Sequence, residues 1–550
     1  MYSSLAATVR DLEKHGRLLR IKTEVDPNLE MAEIHRQVYE AQGPAVFFER
    51  VKGSPFPAVS NLYGTNERTE FLFRHTLKYV QKVIELKLDP MAFLKNPLRY
   101  WSAPFTALTS LPMRKYWDAP ILFGETTIDQ LPQVKSWKMD GGAFVTLPQV
   151  YTEDPEKRGV MGSNIGMYRI QLSGNQYIQN REIGMHYQIH RGIGVHHEKY
   201  NKLDEPFRVS VFVGGPPSHA FSAIMPLPEG LPEVLFAGMM GGRRWRYFKK
   251  NGHVLSADAD FCITGTIRKG MKKPEGPFGD HLGYYSLQHD FPIMDVEKVY
   301  HRQDAIWHFT AVGRPPAEDS GFGYLIHQLV KPLTPQEFPG LVELHAVDAA
   351  GVHPLLLAIG KERYMPFRER RPEEILTIAN RILGTGQTSL AKFLFIAADG
   401  DVPKLDTHDM PHFFNHFLER ADWKRDLHFQ TKTTIDTLDY SGDGWNSGSK
   451  VVVACCGDKK RDLDVTLPDN FTLPNGFSNP VFFQKGILMI NAPRYTSQVL
   501  GMAQAHEIAT HLLRFNLDHV AMIVLCDDST FAAQTVNNFV WVTFTRANPS

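Results

Sequence analysis

Two segments of this chain carry residue types at spacings that suit chemistry. In SNIGMYRIQL, Asn164 and Arg169 stand five residues apart, and in KKPEGPFGDHLGYY, Glu275 and Asp280 do so across a Pro–Gly-rich turn. Gly276 and Gly279 permit close backbone approach there and Pro277 restricts the bend, so both carboxylates can turn toward one ligand. Arg169 can hold one of them ionised, while burial and repulsion leave the other with a raised pKa. That is the property of a group that donates a proton near neutral pH. A solvated acidic turn is the plainer reading of the same residues. Asn164 and Arg169 would face opposite sides of an unbroken strand, because their separation is odd. A bend or helix start at NIG lets both reach one site.

Downstream, HYQIHRG places His186 and His190 four residues apart, on one face if the segment is helical, and Glu233 offers an oxygen from another segment. Either histidine, with Asn164 and Glu233, makes a donor set that suits Mg²⁺ or Mn²⁺ better than a closed zinc site. Satisfied polar residues are the alternative. His196 and His197 are further possible ligands, with turn or surface histidines as the plainer reading. No HExxH, paired CxxC, Walker A or GxGxxG pattern is present, and GDGWNSGSK around Lys450 fails the P-loop spacing. The basic stretch GGRRWRYFKK reads as a strand or turn with basic edges.

The 550 residues exceed what one core holds, so more than one domain is expected. Sixty basic residues balance sixty acidic ones, which removes any long-range pull on nucleic acid or an anionic membrane. No apolar run approaches the roughly 20 residues of a bilayer span, and the opening segment lacks the apolar core of a secretory signal. Four cysteines, Cys262, Cys455, Cys456 and Cys526, are too few to staple the chain, and VVVACC reads as a buried strand. A cytoplasmic protein is the resulting expectation.

The elements that must position these residues change in texture along the chain. Leu5, Val9 and Leu12 form a helical face, and LLRIKTEV and PAVFFERV are strands around a second helix. GAFVTLP, GMYRIQL, FRVSVFVG, DFCITGTI and GYYSLQHD then read as short strands of a mainly β domain, broken by Gly, Pro and Asn. After LVELHAVDAAGVHPLLLAIG the order strand, helix, strand returns, and QVLGMAQAHEIATHLLRF and HVAMIVLCDD close with a helix and a strand.

Taken in order, LLRIKTEVDPNLEMAEI, PAVFFERVKGS, SNLYG, SNIGMYRIQL, QIHRG, MPLPEGLPE, PEGPFGDHLGYY, GRPP, KFLFIAADGD and IDTLDYSG resemble the UbiD family of reversible decarboxylases, which use prenylated flavin mononucleotide. The resemblance covers most of residues 1–450. It implies a multidomain α+β fold in which a central flavin-reductase-like split β-barrel (113–325) lies between N- and C-terminal α/β domains (1–112 and 326–550). The segment after residue 450 departs from the shorter family pattern. The resemblance also implies that Asn164, His190 and Glu233 hold Mn²⁺ or Mg²⁺ against the flavin phosphate, His190 being chosen over His186 by the HR of QIHRG. K⁺ is implied near backbone oxygens of Ser222, Ala223 and Met225, and Lys392 near the cofactor phosphate. Arg169, also counted as cofactor-binding, forms the catalytic set with Glu275 and Asp280, where Asp280 delivers or accepts the proton at the substrate carbon.

The implied reaction is reversible decarboxylation of an unsaturated, aromatic or heteroaromatic acid through a covalent prenylated-flavin adduct, in a homodimer or higher homo-oligomer. Tyr284, Tyr285, Trp307 and Phe322 are candidates for the pocket wall, with core packing as the alternative. A redox enzyme using ordinary flavin and a noncatalytic member of a heteromeric carboxylase are the competing readings.

Overall fold

The computed structural model describes residues 1–187, 192–227, 231–364, 367, 369–402, 404–442 and 444–550. The chain forms two compact units, Met1–Leu333 and Thr334–Ser550. The segments expected as separate N-terminal and central domains share the first unit, and a strand explains why. Trp307–His308 pairs in parallel with Ala58–Ser60 and so completes the N-terminal sheet from the far end of the unit.

The N-terminal elements follow the sequence pattern. Ser4 caps the helix Leu5–Lys14 by accepting from the Ala7 N–H, and Leu5, Val9 and Leu12 are buried along one face. The helix Glu30–Glu40 then connects the parallel strands Leu18–Val25 and Ala45–Val51. Trp307 and Phe322, candidates for the pocket wall, are core residues instead. Trp307 packs edge-on against Phe261, and Phe322 lies 4.2 Å from the Tyr63 ring.

The second half of the first unit is built on a nine-stranded sheet. Along its path run Phe144–Val145, Ile170–Gln171, Glu182–Met185, His289–His301, Phe261–Glu275, Phe207–Val213, Gln149–Glu153 and Ser163–Gly166, with Gly124–Thr126 paired onto His289–His301. All these pairings are antiparallel. Ser163–Gly166 ends the path, yet Ile170–Gln171, only four residues later, lies six strand spacings away. A flat sheet would separate them by roughly 29 Å, whereas the chain from Gly166 to Ile170 spans at most about 14 Å. The sheet is therefore curled, forming a half-barrel whose ends approach one another between residues 166 and 170. The GYYSLQHD strand predicted from sequence begins only at His289, and residues 283–288 are bends and irregular chain with Tyr285 bridged to Gly279.

In the second unit, Leu355–Gly360, Phe393–Ala398 and Gly448–Cys455 are parallel, with Leu341–Ala346 and Leu427–Thr433 antiparallel at the edges. Residues beyond 455 add a smaller sheet in which Ile487–Asn491 and Met522–Cys526 are parallel strands joined by the helix Gln498–Leu512. The final helix, Val536–Thr545, returns Phe539 and Phe544 to the main core against Phe414. All four cysteines are buried and free.

Lys392, expected beside a cofactor phosphate, is buried inside this unit. Its ammonium pairs with Asp439 at 2.8 Å and donates to Ser441 Oγ and to the Thr545 and Ala547 carbonyls. Its hydrogen-bonding capacity is thus satisfied internally, which corrects the cofactor role. Removing one partner of such a pair strands a buried charge. Lys392→Met should destabilise the second unit by about 3 kcal/mol, and the Lys392→Met/Asp439→Leu double variant should recover most of that loss in chemical unfolding.

Candidate active site

Strand register brings the catalytic candidates together. Met185 pairs with Ile170, so the next residues outward, His186 and Arg169, are opposed, and the His186 N–H donates to the Arg169 carbonyl at 3.3 Å. On the neighbouring hairpin, Glu275 ends the long strand Phe261–Glu275 and pairs with His289. The turn between them contains Asp280 and Ser286.

The side chains converge on one guanidinium. Arg169 Nε and Nη2 each donate to a Glu275 carboxylate oxygen at 2.9 Å, Nη2 also donates to Ser286 Oγ at 3.0 Å, and Nη1 pairs with Asp280. Beneath it lies Phe278, whose ring centroid is 4.7 Å from Arg169 Cζ. His186 Nδ1 bonds to Glu275 Oε2 at 3.0 Å while its ring stacks on Phe291. Asp280 Oδ1 accepts from the backbone and ring N–H groups of His281 at 2.7 and 2.9 Å. Asp140 clamps the turn by accepting from the Gly279, Ser136 and Trp137 N–H groups.

Glu275 is fully buried and Asp280 nearly so. Burial alone would raise both pKa values, but the Arg169 charge and the surrounding donors outweigh it. Glu275 is held down at about 2, helped by His186, and Asp280 lies well below the usual carboxylate range, helped by His281. This corrects the expectation of one ionised and one raised carboxylate. Arginine has N–H groups enough for both, so both are ionised.

Asn164 and Glu233 form a neighbouring group. Asn164 lies on Ser163–Gly166, and Glu233 opens the helix Glu233–Gly241 and accepts from the Ile165 N–H at 2.8 Å. Burial pushes the Glu233 carboxyl up to about 7, opposed only by backbone N–H bonds. The buried Asn164 Nδ2 has no hydrogen-bond partner among the described residues. A Cβ on Gly192 would stand 2.0 Å from Asn164 Oδ1, so the start of the helix Gly192–Leu203 presses on this amide. His190 lies outside the described residues. His186 is not helical and serves the carboxylate network. His196 bonds to Thr152 Oγ1, and His197 bonds to the Tyr187 hydroxyl and stacks on Phe207. The basic stretch behaves as expected, with Arg246 and Arg243 paired to Asp258 on a strand edge.

An amide oxygen and a half-buried carboxylate that meets no cationic side chain among the described residues make a fit for a divalent ion. The C-terminal end of the helix Pro217–Ile224 presents the Ser222, Ala223 and Met225 carbonyls, each already accepting one N–H and each retaining a second lone pair. Sequence reading missed His186 as a partner of Glu275, Ser286 as a third support of Arg169 and Asp140 as the clamp of the turn. Only the proximity of Ser286 to Glu275 and Asp280 in the chain offered a signal.

Comparison with known proteins agrees with this architecture. The N-terminal, Rift-related and C-terminal domains of 3-octaprenyl-4-hydroxybenzoate carboxy-lyase match residues 9–87, 114–315 and 320–455. An uncharacterized protein of Chlamydia trachomatis serovar D is 38% identical over 562 aligned residues, covering 100% of this chain and 90% of its own length. A Chlamydia pneumoniae protein, named as one subunit of a 4-hydroxybenzoate decarboxylase, is 38% identical, covering 97% of this chain and 87% of itself. Among solved structures, the closed form of vanillic acid decarboxylase from Sedimentibacter hydroxybenzoicus superposes with a TM-score of 0.69 at 20% identity, covering 86% of this chain and 97% of its own. The UbiD-class enzyme HmfF from Pelotomaculum thermopropionicum, in complex with FMN, gives 0.65 at 19% identity, covering 82% and 93%.

The low pKa of Glu275 has a consequence for acid stability. Its contribution is fully present above the ordinary carboxylate value of 4.5 and is lost as pH falls toward about 2. Glu275→Gln should therefore remove on the order of 3 kcal/mol of pH-dependent stability across that window, read as a flatter acid limb in urea unfolding. From its sequence and architecture, the chain belongs to the UbiD family of carboxy-lyases, enzymes that remove or add a carboxyl group.

Proposed function

We propose that this chain catalyses reversible, non-oxidative decarboxylation of an aromatic or otherwise unsaturated acid with prenylated FMN, and that Arg169, Glu275 and Asp280 act on the substrate. The observation that carries this reading is the buried Arg169 guanidinium, locked on one side by Glu275 and Ser286 and shared on the other with Asp280. Asn164, His190 and Glu233 are assigned to Mn²⁺ or Mg²⁺ at the cofactor phosphate, and the carbonyls of Ser222, Ala223 and Met225 to K⁺. The curled sheet is read as the flavin-reductase-like split barrel, in a homodimer or larger homo-oligomer.

Bound prenylated FMN supplies the electron sink for the pair left on an sp² carbon when carbon dioxide departs, a service no side chain offers. The side chains handle charge and protons. A substrate carboxylate can compete for Nη1 of Arg169, because Nε and Nη2 are fixed by the bidentate bond and Ser286. Asp280 would then lose its strongest neutralising partner while a further anion stands beside it, and its affinity for a proton would rise. A carboxyl oxygen of Asp280 delivers that proton to the substrate carbon, and in the carboxylation direction the same oxygen removes it. Glu275, with His186 behind it, keeps Arg169 oriented throughout.

Hydroxylated benzoic acids are the first substrates to test, since the similar proteins include one named for 4-hydroxybenzoate decarboxylation and a vanillic acid decarboxylase. With the cofactor loaded anaerobically, Asp280→Asn should lower product formation by at least about 100-fold, the scale of losing a general acid, while retaining the flavin absorption. Turnover at the wild-type rate would remove Asp280 from this role. Metal binding supplies a separate check. The Glu233 carboxyl must lose its proton to bind an ion, so Mn²⁺ affinity should fall up to about tenfold per pH unit below about 7. Electron paramagnetic resonance of free Mn²⁺ would measure it, and Glu233→Gln should weaken binding and reduce the slope to that of the remaining imidazole ligand.

A further inference from the structure

In the second unit two residue pairs, each spaced by one position, come together away from the residues discussed so far. Glu343 and His345 share one face of the edge strand Leu341–Ala346. Asp406 and His408 lie in the loop that follows the strand Phe393–Ala398. The loop is tied to the edge strand at Thr407. Glu343 Oε2 accepts from the Thr407 N–H at 3.1 Å, and His345 Nδ1 donates to the Thr407 carbonyl at 3.0 Å. The His345 and His408 rings then stack, with centroids 4.1 Å apart and planes 10° from parallel. These contacts use one oxygen of Glu343 and fix the plane of His408. One ligand atom each from Glu343, Asp406 and His408 lies within 4.8 Å of the other two.

The spacing inside this group decides what it can hold. His408 Nδ1 stands 3.3 Å from Glu343 Oε1 and 3.4 Å from Asp406 Oδ1. A protonated His408 serving as counter-ion to both carboxylates is the plainer arrangement. Charge-assisted N–H···O bonds are about 2.7–2.9 Å long, however, so both contacts are slack for it. A tetrahedral ion with ligands at about 2.0–2.1 Å keeps neighbouring ligand atoms about 3.3–3.4 Å apart. Both distances match that edge. Octahedral Mg²⁺ would draw adjacent ligands to about 2.9 Å, and Ca²⁺ takes oxygen ligands, whereas Zn²⁺ accepts imidazole and carboxylate together. His408 and Asp406 are half-exposed, which gives an ion a way in and leaves a fourth position to water.

We propose that Glu343, Asp406 and His408 bind Zn²⁺, with water as the fourth ligand, and that the ion pins the loop after Phe393–Ala398 to the edge strand. The site shares no residue with the ion site assigned to Asn164, His190 and Glu233 and does not rest on that assignment. Two carboxylates and a neutral imidazole would give it one net negative charge before metal arrives, which the divalent ion reverses.

The test uses the full chain carrying Glu233→Gln, stripped with chelator and titrated with Zn²⁺ alone. At least one equivalent should bind, and the loaded chain should unfold at a higher temperature than the stripped one. His408→Phe keeps a ring on His345 and removes the nitrogen. It should weaken Zn²⁺ binding by more than about 100-fold, the upper range for losing a group that only supports a ligand. Asp406→Asn keeps an oxygen for the His408 N–H and should also weaken binding, so it decides the matter should His408→Phe fail to fold. Co²⁺ in place of Zn²⁺ should give the intense visible bands of a four-coordinate ion, and either variant should lose them. Absence of stoichiometric binding would overturn the proposal and leave His408 as counter-ion to the carboxylates. An affinity unchanged in the folded variants, or the weak bands of six-coordinate Co²⁺, would overturn it equally.

Discussion

One guanidinium shared by two buried carboxylates sets the terms for the rest of the first unit. Arg169, Glu275 and Asp280 together carry one net negative charge where water is largely excluded. Such a group persists only with good geometry and with its remaining oxygens supplied with donors, because several kcal/mol of desolvation per ion must otherwise be met. Ser286, His186, the His281 N–H groups and the clamp at Asp140 are the structural answer to that requirement. The arrangement is what the proposed binding of a substrate carboxylate draws on. The bidentate half of Arg169 is fixed by Glu275, and on the proposed reading the half facing Asp280 is exchanged for the substrate carboxylate, with a proton as the compensating change.

The curl of the nine-stranded sheet is what brings the parts of the site together. The segment Ser163–Gln171 belongs to the strand at one end of the path and to the second strand from the other end, with only residues 167–169 between. Asn164 therefore sits on one margin of the half-barrel and Arg169 at the crossing to the other. A ligand with an anionic tail at Asn164 and Glu233 and a reactive ring at Arg169 would lie along this crossing. The same nine residues position both ends of it.

Much of this was legible in the sequence, and the failures share a cause. The helix Leu5–Lys14, the strand at Cys455, the terminal helix and strand, and the pairing of Arg169 with acidic residues 106 and 111 positions away follow from local pattern or from family resemblance. What escaped was set by register and burial. His186 bonds to Glu275 because Met185 pairs with Ile170, a fact of two strands that no spacing within HYQIHRG encodes. Lys392 matched a motif but meets Asp439 and two carbonyls near the chain terminus instead. Trp307 and Phe322 have the chemistry of pocket walls and the burial of core. Neither periodicity nor composition separates those two fates, because both demand large apolar side chains.

The exposed helix Ala103–Ser110 bears on the site through its inner side. It packs on the helix Glu233–Gly241, whose first residue accepts from the Ile165 N–H, and Gly238 lies against the Thr109 carbonyl. Closely packed helices do not deform continuously, so a shift of one is passed to the other as a displacement. Ordering the helix that carries Glu233 before an ion arrives would lower the cost of binding it. The exposed helix and the Glu233 carboxylate thus belong to one closely packed stack. The small residue at position 238 is required because any side chain there would push its two layers apart.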